Sequence, residues 1–131
     1  VYAASPACRE SIISTWPEVH AHLQNKVIVG HNIGYDYAIL KKCFPALQVR
    51  QKIDTLQITR QVYPKIFSDY SLTSLLDCLD LNKQMDEIKL NEHFSPHRAL
   101  YDTVACTLLT LHLLQTDIGR ELIFPSQQAL F

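Results

Sequence analysis

Apolar residues recur along the chain at two different spacings, and each change of spacing falls at a proline, a glycine or a capping residue. Residues 27–29 form a short β-branched run that ends at Gly30, which predicts a buried strand. Residues 49–53 predict a second strand. Between them, residues 34–44 carry helical spacing as far as Pro45, where a helix must end. The pattern predicts no other strand.

Helical spacing dominates the rest of the chain. Asp54 or Thr55 caps a helix that is expected to stop before Pro64, and Ser71 caps the next one. Residues 82–94 are polar and predict a loop. The predicted helices cover residues 6–24, 34–44, 55–63, 71–81 and 95–115.

The imbalance between helices and strands bears on the fold. Two strands alone make a marginal sheet, so a stable α/β fold would need further strands. One explanation is that part of the sheet lies upstream of Val1, and the absence of an initiator Met also hints at a longer parent protein. The alternative is an all-helical domain in which both strand predictions are wrong.

Composition narrows the class of protein. The length of 131 residues suits one domain, and 47% hydrophobic with 19% charged residues exclude a disordered chain. The four cysteines lack zinc-ligand spacing, which favours free thiols in a reducing compartment such as the cytoplasm. The longest apolar runs are too short to predict a membrane span.

Charge is unevenly distributed although the net charge is only −1. Residues 41–65 hold six bases and one acid, whereas residues 66–131 hold four bases and nine acids. One interpretation is that the basic segment lines a track for phosphates. Solvated helix faces explain the same pattern, and the charge alone favours that simpler reading.

The first candidate for chemistry is the polar segment at residues 30–36, directly after the predicted strand. Helical spacing places Asp36 on one face with Ile39, Leu40 and Cys43, which predicts a carboxylate at the edge of the core. Such a carboxylate is costly unless it is paired or bound to a metal. An acid favoured by the helix dipole is the equally supported alternative.

The second candidate is the segment 97–102 at the start of the long predicted helix. In one interpretation, Arg98 and Asp102 form a weak exposed pair and His97 is a solvated first-turn histidine, and the segment alone favours this. In the other, Asp102 binds a divalent metal and His97, as a histidine tunable around neutral pH, accepts a proton from water.

The two segments together resemble the second and third motifs of the DEDDh 3′→5′ exonucleases, the DnaQ-like proofreading superfamily. The sequence Val-Gly-His-Asn at 29–32, followed by Tyr35-Asp36, is similar to the second motif. The sequence His-Arg-Ala-Leu-Tyr-Asp at 97–102 is similar to the third. Intervening segments at 53–64 and 70–75 follow in family order, so the resemblance covers about residues 26–115 of a single partial exonuclease domain spanning 1–131.

The resemblance implies a ribonuclease-H-like α/β fold, helix-rich in this C-terminal part, and hydrolysis with two Mg²⁺ or Mn²⁺ ions. By motif position, Asp36 and Asp102 are metal-site carboxylates and His97 is the general base. His31 and Asn32 are implied as substrate contacts. Tyr35 stands where the family more often has Phe, which is a mild change because either ring can pack there.

The resemblance also implies a single-stranded DNA or RNA 3′ end as substrate, with a polymerase or a fused domain as a possible partner and no membrane. One departure matters: no aspartate in the chain is followed two positions later by glutamate, so the family's first motif is expected upstream of Val1. An exposed sheet edge would then favour a homodimer. The competing hypothesis is a non-catalytic fragment that binds nucleic acid or a partner.

Overall fold

The computed structural model of the protein describes residues 12–89 and 93–126. The chain forms two compact units, residues 1–53 and residues 54–131, and each has its own secondary structure. Among the residues that the structure describes, no helix has the length and apolar character needed to cross a bilayer.

The first unit contains a small parallel sheet joined by a helix. The strands β1 and β2 pair with each other, which confirms both predicted strands and shows that the all-helical alternative is wrong. The part of the predicted helix 6–24 that precedes residue 12 lies outside the described residues. The elements are α1 (Trp16–Leu23), β1 (Val27–Gly30), α2 (Ile33–Cys43) and β2 (Gln51–Asp54).

Backbone contacts fix the register at the start of the sheet. The Asn25 N–H donates to the Gln48 carbonyl at 2.7 Å, and the Arg50 N–H donates to the Lys26 carbonyl at 2.9 Å. At the other end of β1, a Cβ on Gly30 would lie 2.5 Å from the Ile33 Cδ1. Glycine therefore lets the first turn of α2 fold closely over the end of the strand.

The inward stripe of α2 differs from the predicted one. Ile33 is buried at the start of the helix and Phe44 is buried just after its end, where its ring stacks on Trp16 with centroids 5.2 Å apart. Asp36 is exposed and Ile39 is 47% exposed. The prediction that Asp36 borders the core is therefore wrong in the described structure, because the stripe that packs inward is rotated away from it.

The second unit is helical and is organised around its longest helix. Helix α6 packs against α3, α4 and α7. Its buried residues Ala105, Leu109 and Leu113 recur every four residues, as expected for one helix face in a core. The elements are α3 (Thr55–Val62), α4 (Leu72–Cys78), α5 (Asn82–Ile88), α6 (Ala99–Leu114) and α7 (Asp117–Ile123).

Two of these helices differ from the predictions. Residues 82–94 were expected to form a loop, but residues 82–88 form α5, because the buried Leu81 and Met85 lie one turn apart and anchor an otherwise polar segment. Helix α7 was not predicted. It packs closely on the end of α6, since a Cβ on Gly119 would lie 2.1 Å from the Leu113 carbonyl oxygen.

Side-chain caps start three of the helices, two of them as predicted. Asp54 accepts from the Leu56 N–H at 3.0 Å and Ser71 accepts from the Ser74 N–H at 3.3 Å, whereas the Thr116 cap of α7 is an addition. At α4 the cap is reinforced by Asp69, which accepts from the N–H and hydroxyl of Ser71 and from the Ser74 hydroxyl at 2.7–2.8 Å. These bonds, led by the one from the Ser74 side chain, lower the pKa of Asp69 below 3.8.

We expect Asp69→Asn to reduce the dependence of stability on pH in acid. Because the folded-state pKa of Asp69 is depressed, its contribution is fully present above its unfolded pKa and is lost as the pH falls through the lower folded value. Urea unfolding from about pH 6 to about pH 2.5 measures this dependence. The matched control is Asp77→Asn, which changes an exposed aspartate on α4. Equal slopes of unfolding free energy against pH for the two variants would contradict the role of Asp69.

Candidate active site

The first polar segment lies on the turn between β1 and α2. Asn32 has a left-handed backbone, with φ of 61°, and its carbonyl accepts from the Tyr35 N–H at 3.2 Å to start the helix. His31 is half-buried, whereas Asn32 and Asp36 are exposed. Asp36 lies in the first turn of α2, where the partial positive charge of the helix dipole favours a carboxylate.

The ring of Tyr35 does not pack as expected. Its side chain is 69% exposed on the first turn of α2. In the described part of the chain, Tyr35 therefore does not use the packing that is open to either ring at this position. Together with Asp36, the tyrosine gives this end of the first unit an aromatic ring and a carboxylate that both face solvent.

The second polar segment begins with a β-turn over residues 95–98. The Arg98 N–H donates to the Ser95 carbonyl at 3.2 Å, with Pro96 second and His97 third in the turn. His97 has φ of 64°, the left-handed value that the third position of a type II turn requires and that glycine or asparagine usually supplies. The predicted helix from residue 95 therefore starts four residues later, at Ala99.

The carboxylate of Asp102 closes this turn onto the helix. The backbone N–H of His97 donates to the Asp102 Oδ1 at 3.3 Å, while the Asp102 N–H donates to the Arg98 carbonyl at 2.9 Å. The Arg98–Asp102 ion pair of the alternative interpretation is not formed in the described structure. The structure thus brings His97 and Asp102 together, and it places Asp36 in the other unit.

An aromatic pair supports the same turn. The rings of Phe94 and Tyr101 lie 5.0 Å apart between centroids, and both pack on the buried cluster of α4, α5 and α6. Burial, together with the charges of Asp86 and Asp102, raises the pKa of Tyr101. Phe94 was not among the residues predicted for the site, although an aromatic residue three positions before His97 in a polar stretch was a usable signal.

The candidate metal ligands are the carboxylate oxygens of the two proposed aspartates. Asp36 and Asp102 offer the hard oxygen ligands that Mg²⁺ and Mn²⁺ prefer. Nevertheless, within residues 12–89 and 93–126 no three His, Cys, Asp or Glu side chains lie close enough together to hold an ion. The described residues therefore do not by themselves form a metal site.

Several basic side chains of residues 41–65, a segment that runs from the first unit into the second, contact residues of the unit to which each belongs. The Lys41 ammonium donates to the carbonyls of Pro45 and Leu47, both at 2.8 Å. The Lys52 ammonium lies 4.3 Å from the centre of the Tyr37 ring, and in the second unit Arg60 lies 6.0 Å from the Tyr70 ring. These contacts give at least half of the six bases an intramolecular role.

Both polar segments lie in the part of the chain that matches a known protein family. Residues 7–110 match the exonuclease family named after RNase T. The chain is 27% identical over 124 residues to the PolC-type DNA polymerase III of Oceanobacillus iheyensis, covering 86% of the chain and 8% of that protein. It is 33% identical over 94 residues to the Bacillus subtilis protein of the same name, covering 68% of the chain and 6% of that protein.

A third similar protein is the PolC-type DNA polymerase III of Halalkalibacterium halodurans, which is 27% identical over 114 residues. This match covers 84% of the chain and 7% of that protein, so the chain spans less than a tenth of the length of each of these relatives. No solved structure matches the chain.

Proposed function

The chain belongs to the RNase T exonuclease family, of the DnaQ-like superfamily, and from this membership we propose that it acts in a metal-dependent 3′→5′ exonuclease. The proposed reaction is hydrolysis of the phosphodiester bond at a single-stranded 3′ end. The observation that carries the proposal is the family match over residues 7–110, because it includes both polar segments. A ribonuclease-H-like α/β fold follows from the family, and the small parallel sheet agrees with it.

His97 is proposed as the general base. Its side chain is exposed, so solvent water reaches it, and its backbone is held by Asp102 at the start of α6. Histidine exchanges a proton near neutral pH, which suits a base that takes a proton from an attacking water. The turn holds the His97 backbone beside the Asp102 carboxylate, and the family resemblance assigns both residues to the same site.

Asp36 and Asp102 are proposed as oxygen donors to divalent ions, which proteins of this family generally use. When bound, two Mg²⁺ or Mn²⁺ ions would supply activation of the water and stabilisation of the leaving oxygen. The chain itself contributes two carboxylates on helix first turns, and further donors are needed because the described residues hold no cluster of three. The missing donors correspond to the absent Asp-x-Glu pattern.

Substrate contacts are proposed for His31 and Asn32, which lie on the turn that leads into Asp36. Both side chains carry groups that hydrogen-bond to a phosphate or sugar oxygen. The relatives are named as DNA polymerase III proteins. On that ground DNA, and not RNA, is proposed as the substrate and a fused polymerase as the partner. A homodimer remains a prediction.

A non-catalytic role is the second candidate. Its support is the absence of an Asp-x-Glu pattern in the sequence, together with the lack of a three-ligand cluster in the described part of the chain. The gene decides between the two hypotheses. Asp-x-Glu encoded upstream of Val1 supports the enzyme, whereas its absence there supports a module that binds nucleic acid or a partner.

We expect residues 1–131 alone to degrade nucleic acid poorly. Asp36 and Asp102 provide half of the four carboxylates that the family resemblance implies, and divalent ions give up their hydration reluctantly. The measurement is degradation of a single-stranded DNA with Mn²⁺, labelled at its 5′ end so that shortening is visible, for this chain and for the protein as its gene encodes it. Comparable, His97-dependent degradation by residues 1–131 would show that the ligands are misplaced.

A further inference from the structure

The backbone conformation of His97 is one that residues other than glycine adopt uncommonly, although histidine is found there more often than most. Left-handed φ costs a non-glycine residue roughly 1 kcal/mol, and it persists where the surroundings impose it. Here the third position of the turn at residues 95–98 holds His97 where glycine would be free of strain. Something outside the turn must therefore hold the histidine in place.

Two contacts hold it, one on each side of the turn. On the C-terminal side, the Asp102 carboxylate accepts from the His97 N–H. On the N-terminal side, Phe94 packs against Tyr101, which precedes Asp102 on the first turn of α6. The chain from Phe94 to Asp102 is thus closed by a ring contact and a hydrogen bond.

The aromatic pair is anchored more firmly than the turn it closes. Phe94 and Tyr101 are both half-buried against the cluster of Leu76, Leu81, Met85 and Ala105. The residues between them, 95–100, are exposed. Since exposed turns open at low free-energy cost, the position of His97 depends on its two anchored ends.

We infer that Phe94 and Tyr101 are positioning residues that fix the left-handed turn of His97, and through it the orientation of the general base. This inference rests on the proposed function. The proposed role depends on the contact between the two aromatic rings. Tyr101→Phe keeps both rings, whereas Phe94→Leu removes one of them. Neither residue is assigned a contact with substrate or metal.

The experiment compares Phe94→Leu, Tyr101→Phe and Leu79→Ala in the protein as its gene encodes it. Leu79 packs on the same buried cluster and lies outside residues 93–102, so it controls for a loss of core packing. Phe94→Leu is expected to lower kcat about 10- to 100-fold, as small misplacements of a reacting group do. The KM of Phe94→Leu is expected to stay near the wild-type value. Both kcat and KM of Tyr101→Phe and Leu79→Ala are also expected to stay near the wild-type values.

A double variant shows whether Phe94 acts through His97. In a His97→Asn background, Phe94→Leu is expected to cause no further loss of kcat, since the group that it orients is absent. An equal loss in both backgrounds, or a loss no greater than that of Leu79→Ala, would overturn the inference.

Hydrogen exchange at the His97 amide tests the turn without relying on activity. Phe94→Leu is expected to accelerate exchange there and Tyr101→Phe to leave it unchanged, because the amide is protected by its bond to Asp102. Unchanged exchange in Phe94→Leu would overturn the inference. If instead His97→Asn hydrolyses DNA normally while exchange responds as expected, the assignment of the base fails and the anchoring of the turn stands.

Discussion

His97→Asn is expected to lower the turnover number for hydrolysis about 10²- to 10⁴-fold in the protein as its gene encodes it, which is the usual cost of losing a general base. The melting temperature should stay close to that of the wild type. Asparagine tolerates the left-handed φ of 64° that this position imposes, and its backbone N–H can still donate to Asp102. The change therefore removes the imidazole with little disturbance of the turn.

The choice of asparagine matters for the interpretation. His97→Ala would put at positive φ a residue that is found there less often than histidine or asparagine, so a folding effect would mix with the catalytic one. His97→Gly is free to adopt positive φ and serves as a third variant. If turnover falls equally in the Asn and Gly variants, the loss belongs to the ring and not to the backbone.

The measurement is single-turnover degradation of a single-stranded DNA as a function of pH. His93→Asn is the matched control, because it removes an exposed histidine four residues away in the same loop. The rate should stay near that of the wild type in His93→Asn and fall in His97→Asn. Near-normal hydrolysis by His97→Asn would contradict the proposed base.

In the protein as its gene encodes it, Asp102→Asn and Asp36→Asn are expected to weaken Mg²⁺ or Mn²⁺ binding at least about 100-fold, since even an outer-shell partner of a metal site is worth about 10- to 100-fold in affinity. Turnover should fall with occupancy. Each change removes a negative charge from the proposed oxygen-ligand site while keeping the shape of the side chain. In Asp102→Asn the amide oxygen can still accept from the His97 N–H. The variant therefore tests the loss of the negative charge without the loss of this hydrogen bond.

Titration of Mn²⁺ followed by calorimetry measures this effect, with Asp117→Asn as the control. Asp117 also lies in the first turn of a helix, but its carboxylate is almost fully exposed and pairs with Arg120 at 3.2 Å. Its loss should leave the Mn²⁺ affinity unchanged. Identical titrations for wild type, Asp36→Asn and Asp102→Asn would count against both carboxylates as ligands.

Local signals in the sequence predicted most of the elements that position the candidate site. The β-branched run before Gly30 predicted β1, and the capping residues Asp54 and Ser71 predicted the starts of α3 and α4. These features are specified by residues close together in the chain, so periodicity and capping rules detect them. The two polar motifs were visible for the same reason.

The features that were missed depend on contacts between distant residues or on backbone geometry. Helix α5 is polar apart from Met85 and Ile88, and Met85 is buried in the cluster that includes Ala105 of α6, so composition suggested a loop. The left-handed turn at His97 delays the start of α6, and only Pro96 in the sequence hints at it. The exposure of Asp36 was misjudged because helical spacing defines a face but not which face meets the core.

The contacts of Lys41 change how the formal charge of the basic segment translates into binding. A cation that binds a polyanion contributes affinity by releasing condensed counterions, at a slope of about −0.7 per phosphate neutralised on a single strand. The Lys41 ammonium is already held by the carbonyls of Pro45 and Leu47, so its transfer to a phosphate would break two hydrogen bonds. The salt dependence of nucleic-acid binding should therefore be shallower than a count of bases in this segment suggests.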